Sequence, residues 1–291
     1  RGGMAAKRGG TQAGQARRSA VRPDLATLGG LIVAFGGIVG GLILEGGAIG
    51  DIAQPTGAMI VLGGTLGAVM VTTPLNVLLR AIKRLKIVFL EEIHSPAVVI
   101  DEIIEFATKA RKNGIVSLEQ DAESVQEPFL RKALNLAVDG TDLQEIRKMM
   151  ELELTLEEQH AEAEAKVFES AGGYSPTIGI IGAVLGLIQV MKHIDQPSEV
   201  GHGIGVAFVA TVYGLLLANV FLLPMGNKIK ARVHSAIQIK ELMLEGVIGI
   251  VEGLNPKLIR SKLDAYVHQS RPSKKAARNA AVRNAEASAE T

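Results

Sequence analysis

Along this chain, long stretches without a charged side chain alternate with blocks in which charges recur every few positions. Leu25 to Leu44, introduced by Pro23 and Asp24, is uncharged and long enough to cross a hydrocarbon core of about 30 Å, which takes about 20 helical residues. Glu45 to Gln54 is a short Gly-rich turn without Lys or Arg, and Pro55 then opens a second uncharged run that lasts to Leu79. A third run, Ser170 to Met191, has its centre at Ser175 to Met191, and a fourth extends from about Gly203 to Gly226. The block between the second and third runs has apolar residues at helical spacing in Val98 to Lys112, Pro128 to Val138 and Asp142 to Lys166. Asn113-Gly114 and Asp139-Gly140 are the breaks between these stretches. Ile229 to Val267 reads as a helix pair interrupted at Asn255-Pro256.

The pattern predicts an all-α polytopic membrane protein. Residues 23–79 hold transmembrane helices 1 and 2, 80–169 a helical cytoplasmic domain, 170–227 helices 3 and 4, and 228–270 the C-terminal cytoplasmic helices. The apolar faces of the 80–169 block need burying, so a compact domain is expected there rather than a linker. Residues 1–22, which begin with Arg1, form a Gly/Arg-rich arm, and 271–291 a basic Ala-rich tail; both are expected to be disordered. Lipid binding by the tail is the alternative to a solvated end.

Charge fixes the orientation. Arg80, Lys83, Arg84 and Lys86 crowd the end of the second run, and Lys228, Lys230 and Arg232 follow the fourth. The loop from Lys192 to Gly201 carries Asp195, Glu199 and one lysine. By the positive-inside rule both termini are cytoplasmic and two short loops lie outside. The formal net charge of +1 points to no polyanionic partner, so nucleic acid is not expected. Without cysteine there is neither a disulfide framework nor a thiolate metal site, and without tryptophan only Tyr174, Tyr213 and scattered phenylalanines can form an aromatic belt.

The runs themselves are rich in small residues. Gly36, Gly37, Gly40 and Gly41, then Gly63 and Gly67, then Gly179 with Ala183 and Gly182 with Gly186, repeat the small-xxx-small spacing that lets another backbone approach. No Asp, Glu, Lys or Arg occurs within Leu25–Leu44, Ile52–Leu79, Ser170–Met191 or Val200–Asn227. An ion route normally needs an ionisable group at depth. Either this chain transports nothing, or a partner's helix brings the titrating group and this protein builds the walls.

Thr177 and Thr211 are the polar side chains singled out at depth. Each hydroxyl can bond back to a carbonyl one turn earlier, or Thr211 can face an inter-subunit pore and help to pass a cation. Pro176 and Pro224 remove a backbone donor near the inner ends of their helices, which is either a plain kink or a hinge. Gly201-His-Gly-Ile-Gly205 lacks a preceding strand and the phosphate-loop spacing, and the six histidines show no defensible metal-ligand pair. No hydrolytic or redox site is visible, so the chain is not read as an enzyme, and no cofactor is expected.

The order of features resembles the flagellar-motor stator A subunit family, MotA/PomA, over roughly Asp24 to His268. The resemblance rests on Pro-Asp-Leu-Ala-Thr-Leu at Pro23–Leu28, Ala-Arg-Lys-Asn-Gly-Ile-Val-Ser-Leu-Glu at Ala110–Glu119, Ser-Pro-Thr-Ile-Gly-Ile-Ile-Gly at Ser175–Gly182, Thr-Val-Tyr-Gly-Leu-Leu-Leu-Ala-Asn at Thr211–Asn219 and Glu-Gly-Leu-Asn-Pro at Glu252–Pro256. It implies a pentameric ring of A subunits around two copies of a MotB/PomB-type B subunit whose helix carries the ion-binding aspartate, in the cell inner membrane. It also implies that ion flow turns the ring and that the cytoplasmic domain pushes on the rotor protein FliG. The family's charged rotor contacts fall on Arg111, Lys112 and Glu119, which by themselves are a solvated helix end and loop. Its functional prolines fall on Pro176 and Pro224, and the ion pathway is expected to be lined by Thr211, Ala183 and Thr177. Sodium-driven relatives have a threonine where this chain has Ala183 and a loop aspartate where it has Gln54. Losing a hydroxyl ligand harms a dehydrated sodium ion more than a proton, so a proton is the predicted ion and sodium the alternative. The related ExbB/TolQ energisers are the second reading, with three spans and no segment like Arg111 to Glu119; a membrane scaffold without ion flux is the third.

Overall fold

The computed structural model describes residues 21–92, 95–192, 194–195 and 197–269. The arm up to residue 20, the tail expected over 271–291, and His193 of the expected outer loop lie outside the described residues. The described elements are β1 (Val21–Pro23), α1 (Leu25–Leu44), a 3-10 turn (Ile49–Ile52), α2 (Pro55–Thr72), α3 (Leu75–Phe89), β2 (Leu90–Glu92), α4 (Pro96–Asn113), a second 3-10 turn (Ile115–Leu118), α5 (Glu119–Ser124), α6 (Pro128–Val138), α7 (Leu143–Lys192), α8 (Pro197–Leu216), a π segment (Leu217–Leu222), α9 (Leu223–Val251) and α10 (Pro256–Gln269). Four helical stretches are long and apolar enough to span a bilayer, as the uncharged runs predict.

Several boundaries differ from the sequence expectation for clear local reasons. The second span stops at Thr72 rather than Leu79. Pro74 cannot donate to the helix and pushes Thr73 into an extended conformation, φ −129° and ψ 130°, so α3 begins as a separate helix. Val21 and Arg22, assigned to the arm, pair instead with the chain after α3, in the antiparallel register Val21↔Glu92, Arg22↔Glu91 and Pro23↔Leu90. Asp142–Lys166 and the third span are one uninterrupted helix of 50 residues, about 75 Å long at 1.5 Å per residue. The fourth span likewise runs on through the π segment into α9, and the expected break at Asn255-Pro256 follows Val251 and the left-handed Gly253, φ +69°.

Two hydrophobic clusters hold the chain. In the charged domain, Ile100 and Ile103 of α4, Leu130 and Leu134 of α6, Ile146 and Met150 of α7, Leu242 and Ile248 of α9, and Ile259 and Leu263 of α10 are all essentially inaccessible. Each such side chain contributes about 1.5–3 kcal/mol by burial. The second cluster lies at the base of the spans, where Leu78, Ala81 and Val88 of α3 pack on Ala161, Ala165 and Phe168 of α7 and Ile229, Val233 and Ile237 of α9. Ion pairs lace α7 to α9 alongside: Glu169 to Lys230 at 2.6 Å, Glu157 to Lys240 at 2.5 Å, and Arg147 to Glu245 at 2.9 Å.

Candidate functional site: the seam between α7 and α8

The closest approach of two backbones in the spans lies between α7 and α8. On α7, Ser175, Gly179 and Gly182 are buried; facing them on α8 are Ala207, Ala210 and Gly214, with Ala218 continuing the line into the π segment. A Cβ on Gly179 would stand 2.9 Å from the Ala210 carbonyl oxygen, and one on Gly214 would stand 2.6 Å from that of Ser175. A Cβ on Gly186 would meet Ala207 Cβ at 3.1 Å. These glycines each cost the helix roughly 0.5–1 kcal/mol against alanine, and close contact between the helices is what offsets that cost. The Ser175 hydroxyl donates to the Gly214 carbonyl at 2.9 Å inside the seam.

The small-xxx-small prediction therefore holds for α7, but the face is Gly179, Gly182 and Gly186, with Ala183 turned to its edge and half-buried. For α1 and for Gly63 and Gly67 of α2 it fails within the chain: a Cβ on any of Gly36, Gly37, Gly40, Gly41, Gly63 or Gly67 would meet nothing within 4 Å. The buried side of α2 is instead Gly57, Val61, Thr65 and Val69, one residue per turn. It covers one flank of the seam, with Gly57 against Ala210, Gly64 against Ile178 and Ile60 against Gly182.

The opposite flank carries the residues singled out from the sequence. Counting 100° per residue from the seam, Pro176 and Ala183 on α7 and Thr211 on α8 fall together on the side away from α2. All three are half-buried. Thr211 touches the seam, its Cα 3.3 Å from the position a Gly179 Cβ would take. Thr177 does not join them. It lies about 200° round α7 from Ser175 and is exposed, and its hydroxyl donates to the Tyr174 carbonyl at 2.8 Å, the self-satisfied arrangement.

Pro176 and Pro224 lie at one level of the bundle. Pro176 sits within α7 and deprives the Gly172 carbonyl of its helical donor. A Cβ on Gly172 would meet Leu223 at 2.7 Å, so the weakened turn of α7 rests on the residue beside Pro224. Ahead of Pro224 the helix widens to π geometry over Leu217–Leu222, which shifts its donors one residue along where the proline has none to give. The rings of Phe221 and Phe35 stand 5.4 Å apart, one of the few contacts that α1 makes with the rest of the chain.

Two fixing points escaped the sequence reading. Asp24 is 4% exposed, caps α1 by accepting from the Thr27 N–H at 3.0 Å, and takes Lys228 Nζ at 2.6 Å and Arg232 at 2.5 Å. The Lys228 ammonium, against the opposing effect of burial, holds its carboxyl far below the usual carboxylate range. The available signal was a lone acid before the first span and two cations four residues apart after the fourth. Tyr213 ties α8 to the turn between α1 and α2: its hydroxyl accepts from the Gln54 N–H at 3.0 Å and donates to the Ile52 carbonyl. No sequence spacing announces that contact, 159 residues apart.

In the charged domain, Arg111 and Lys112 occupy the last turn of α4 and Glu119 opens α5. The left-handed Gly114, φ +83°, turns the chain between them. All three side chains are exposed and make no ion pair among the described residues, whereas neighbouring Lys109 and Asp121 pair at 2.6 Å. Among the described residues no group of three or more His, Cys, Asp or Glu is placed to hold a metal.

Four apolar helical stretches long enough to span a bilayer, joined to an ion-paired helical domain, define the class of a multi-pass membrane protein. The profile described as MotA/TolQ/ExbB proton channel family matches residues 121–242, and that described as Motility protein A N-terminal matches 28–114. The chain is 34% identical to motility protein A of Bacillus subtilis, over 84% of this chain and 91% of that protein. It is 35% identical to motility protein A of Helicobacter pylori, over 86% of this chain and 98% of that protein. Its fold is similar to a subunit in the structure of C. jejuni MotAB, with a TM-score of 0.81 and 33% identity, covering 84% of this chain and 95% of that one. This chain belongs to the MotA/TolQ/ExbB proton channel family, and within it to the motility protein A branch. Among the described residues, four helical stretches long and apolar enough to span a bilayer weigh against the three-span ExbB/TolQ reading.

Proposed function

We propose that this protein is the A subunit of a flagellar-motor stator, which with a MotB-type B subunit forms an ion channel that converts ion flow into torque. The observation that carries the reading is the agreement with MotAB over 95% of that chain, together with the spans' lack of any Asp, Glu, Lys or Arg. The ion-binding acid then comes from the B helix, and the flank bearing Pro176, Ala183 and Thr211 is the wall it moves against. Five A subunits ring two B subunits in the inner membrane, with both termini cytoplasmic, and Arg111, Lys112 and Glu119 meet the rotor protein FliG. Their exposure, and the absence of an ion pair to any of them among the described residues, support that contact.

Pro176 and Pro224 act as one hinge, because the turns they weaken touch through Gly172 and Leu223. Bending there passes into the charged domain along α7 and α9, which the Glu169–Lys230 and Glu157–Lys240 pairs keep in step. The transported ion is a proton: Ala183 offers no oxygen to a dehydrated sodium ion, while a proton needs only an acceptor or a water chain. Cells that depend on this protein and its B partner are expected to swim at full speed in sodium-free medium. A motor that stops there and recovers with added sodium overturns the proton assignment. Purification of the co-expressed complex should give five A chains to two B chains, and failure to co-purify any B subunit overturns the stator reading itself.

A further inference from the structure

Helix α3 is held at both ends to the edge of the spans. It starts beyond Thr73 and Pro74, where α2 ends. At its far end Leu90 pairs with Pro23, and the Phe89 carbonyl accepts the N–H of Asp24, the cap of α1, at 2.9 Å. A 15-residue helix, about 22 Å long, with both ends at that boundary lies along it rather than across it. Leu78, Ala81 and Val88 face inward onto α7 and α9, and Arg80 and Arg84 turn to the buried Glu164.

The other face is uncovered. Leu75, Leu79 and Ile82 are 61%, 52% and 53% exposed and follow one another at helical spacing. Lys83 stands one turn beyond Leu79 and Lys86 one turn beyond Ile82; both are exposed and neither makes an ion pair among the described residues. The apolar stripe continues the outer side of α2, where Met70 and Val71 are 54% and 88% exposed. An apolar stripe backed by unpaired cations, set at the border of a membrane span, has the chemistry of an interfacial helix on an anionic leaflet.

We propose that α3 is a binding site for anionic phospholipid, with Leu75, Leu79 and Ile82 in the acyl boundary and Lys83 and Lys86 on the headgroup phosphates. The inference rests on the membrane placement of the spans and extends it to a lipid preference. In the test, the full chain extracted in mild detergent is incubated with equal amounts of phosphatidylglycerol and phosphatidylcholine, and retained lipid is counted by native mass spectrometry. Wild-type protein keeps phosphatidylglycerol in preference, Lys83→Gln with Lys86→Gln lowers its retention by about fivefold per lysine, and Lys83→Arg with Lys86→Arg restores it. Lys148→Gln, in the charged domain, leaves it unchanged. Equal retention of both lipids by the wild type, or unchanged retention in the glutamine variant, overturns this proposal alone. A Leu79→Cys chain that forms disulfide-linked dimers in the membrane assigns the face to a second copy and also overturns it. A chain absent from the membrane fraction overturns the membrane reading with it.

Discussion

The charged domain and the spans of this chain are built from opposite materials. Between α4, α6, α7, α9 and α10 the largest fully buried side chains are mostly branched aliphatics, Ile100, Leu134 and Ile248 among them. In the spans α1 buries no residue at all, and the α7–α8 seam is lined by Gly179, Gly182, Ala210 and Gly214. In water a domain must hide its own apolar surface, whereas in lipid that surface is no liability and only backbone fit selects neighbours. The first region packs large side chains against one another, whereas the second brings backbone to backbone and leaves the glycines of α1 with no neighbour among the described residues.

The contrast can be broken where the two regions meet. Asp24→Ala removes the acid that caps α1 and pairs with Lys228, and is expected to cost about 3–5 kcal/mol in the thermal unfolding of the detergent-solubilised chain. Adding Lys228→Met should recover part of that loss. The same site predicts the direction of acid sensitivity. With its folded pKa depressed, Asp24 contributes fully above its unfolded value of about 3.9, and the contribution is lost as pH falls further, through the depressed value. Glu245 adds to the acid loss: burial pushes its pKa up, but Lys262 and Arg147 outweigh it and leave it lowered.

Within the charged domain, Ile103→Ala should cost about 2–5 kcal/mol, read by urea unfolding followed by circular dichroism, while membrane insertion is unaffected. In the seam the sign reverses, and adding atoms is what harms. Gly179→Ala forces a methyl to 2.9 Å from the Ala210 oxygen, and is expected to lower stability by about 1–3 kcal/mol. Gly36→Ala on α1 meets open space within the chain and should be neutral or gain up to about 1 kcal/mol in the same measurement. The smallest effect is expected at Thr65. Its hydroxyl is buried with no hydrogen-bond partner among the described residues, so Thr65→Val should change the thermal midpoint little or raise it.

Charge patterning made the four spans legible in the sequence, apolar spacing the helices of the domain between the second and third, and the Asn255-Pro256 pair the break near the C-terminal end. It did not reveal that α7 continues from one region into the other, because Glu169 and Ser170 change the polarity of the helix without changing its backbone propensity. Pro74 was readable as a breaker, yet its uncharged surroundings hid the start of α3. Of the residues singled out in the spans, Pro176, Ala183 and Thr211 share one flank of the seam, while Thr177 lies exposed on another side of α7 with its hydroxyl bonded to the Tyr174 carbonyl. Asp24 and Tyr213 depend on contacts between distant segments, which periodicity cannot register.

The unbroken length of α7 has a mechanical consequence. From Pro176 back to Leu143 the rod measures about 50 Å, so a tilt of only about 5° at the proline sweeps its far tip through about 4 Å. A displacement of that size is comparable to an ordinary side-chain contact distance of about 4 Å, and it arises from a change at the pivot smaller than the width of a single methyl group.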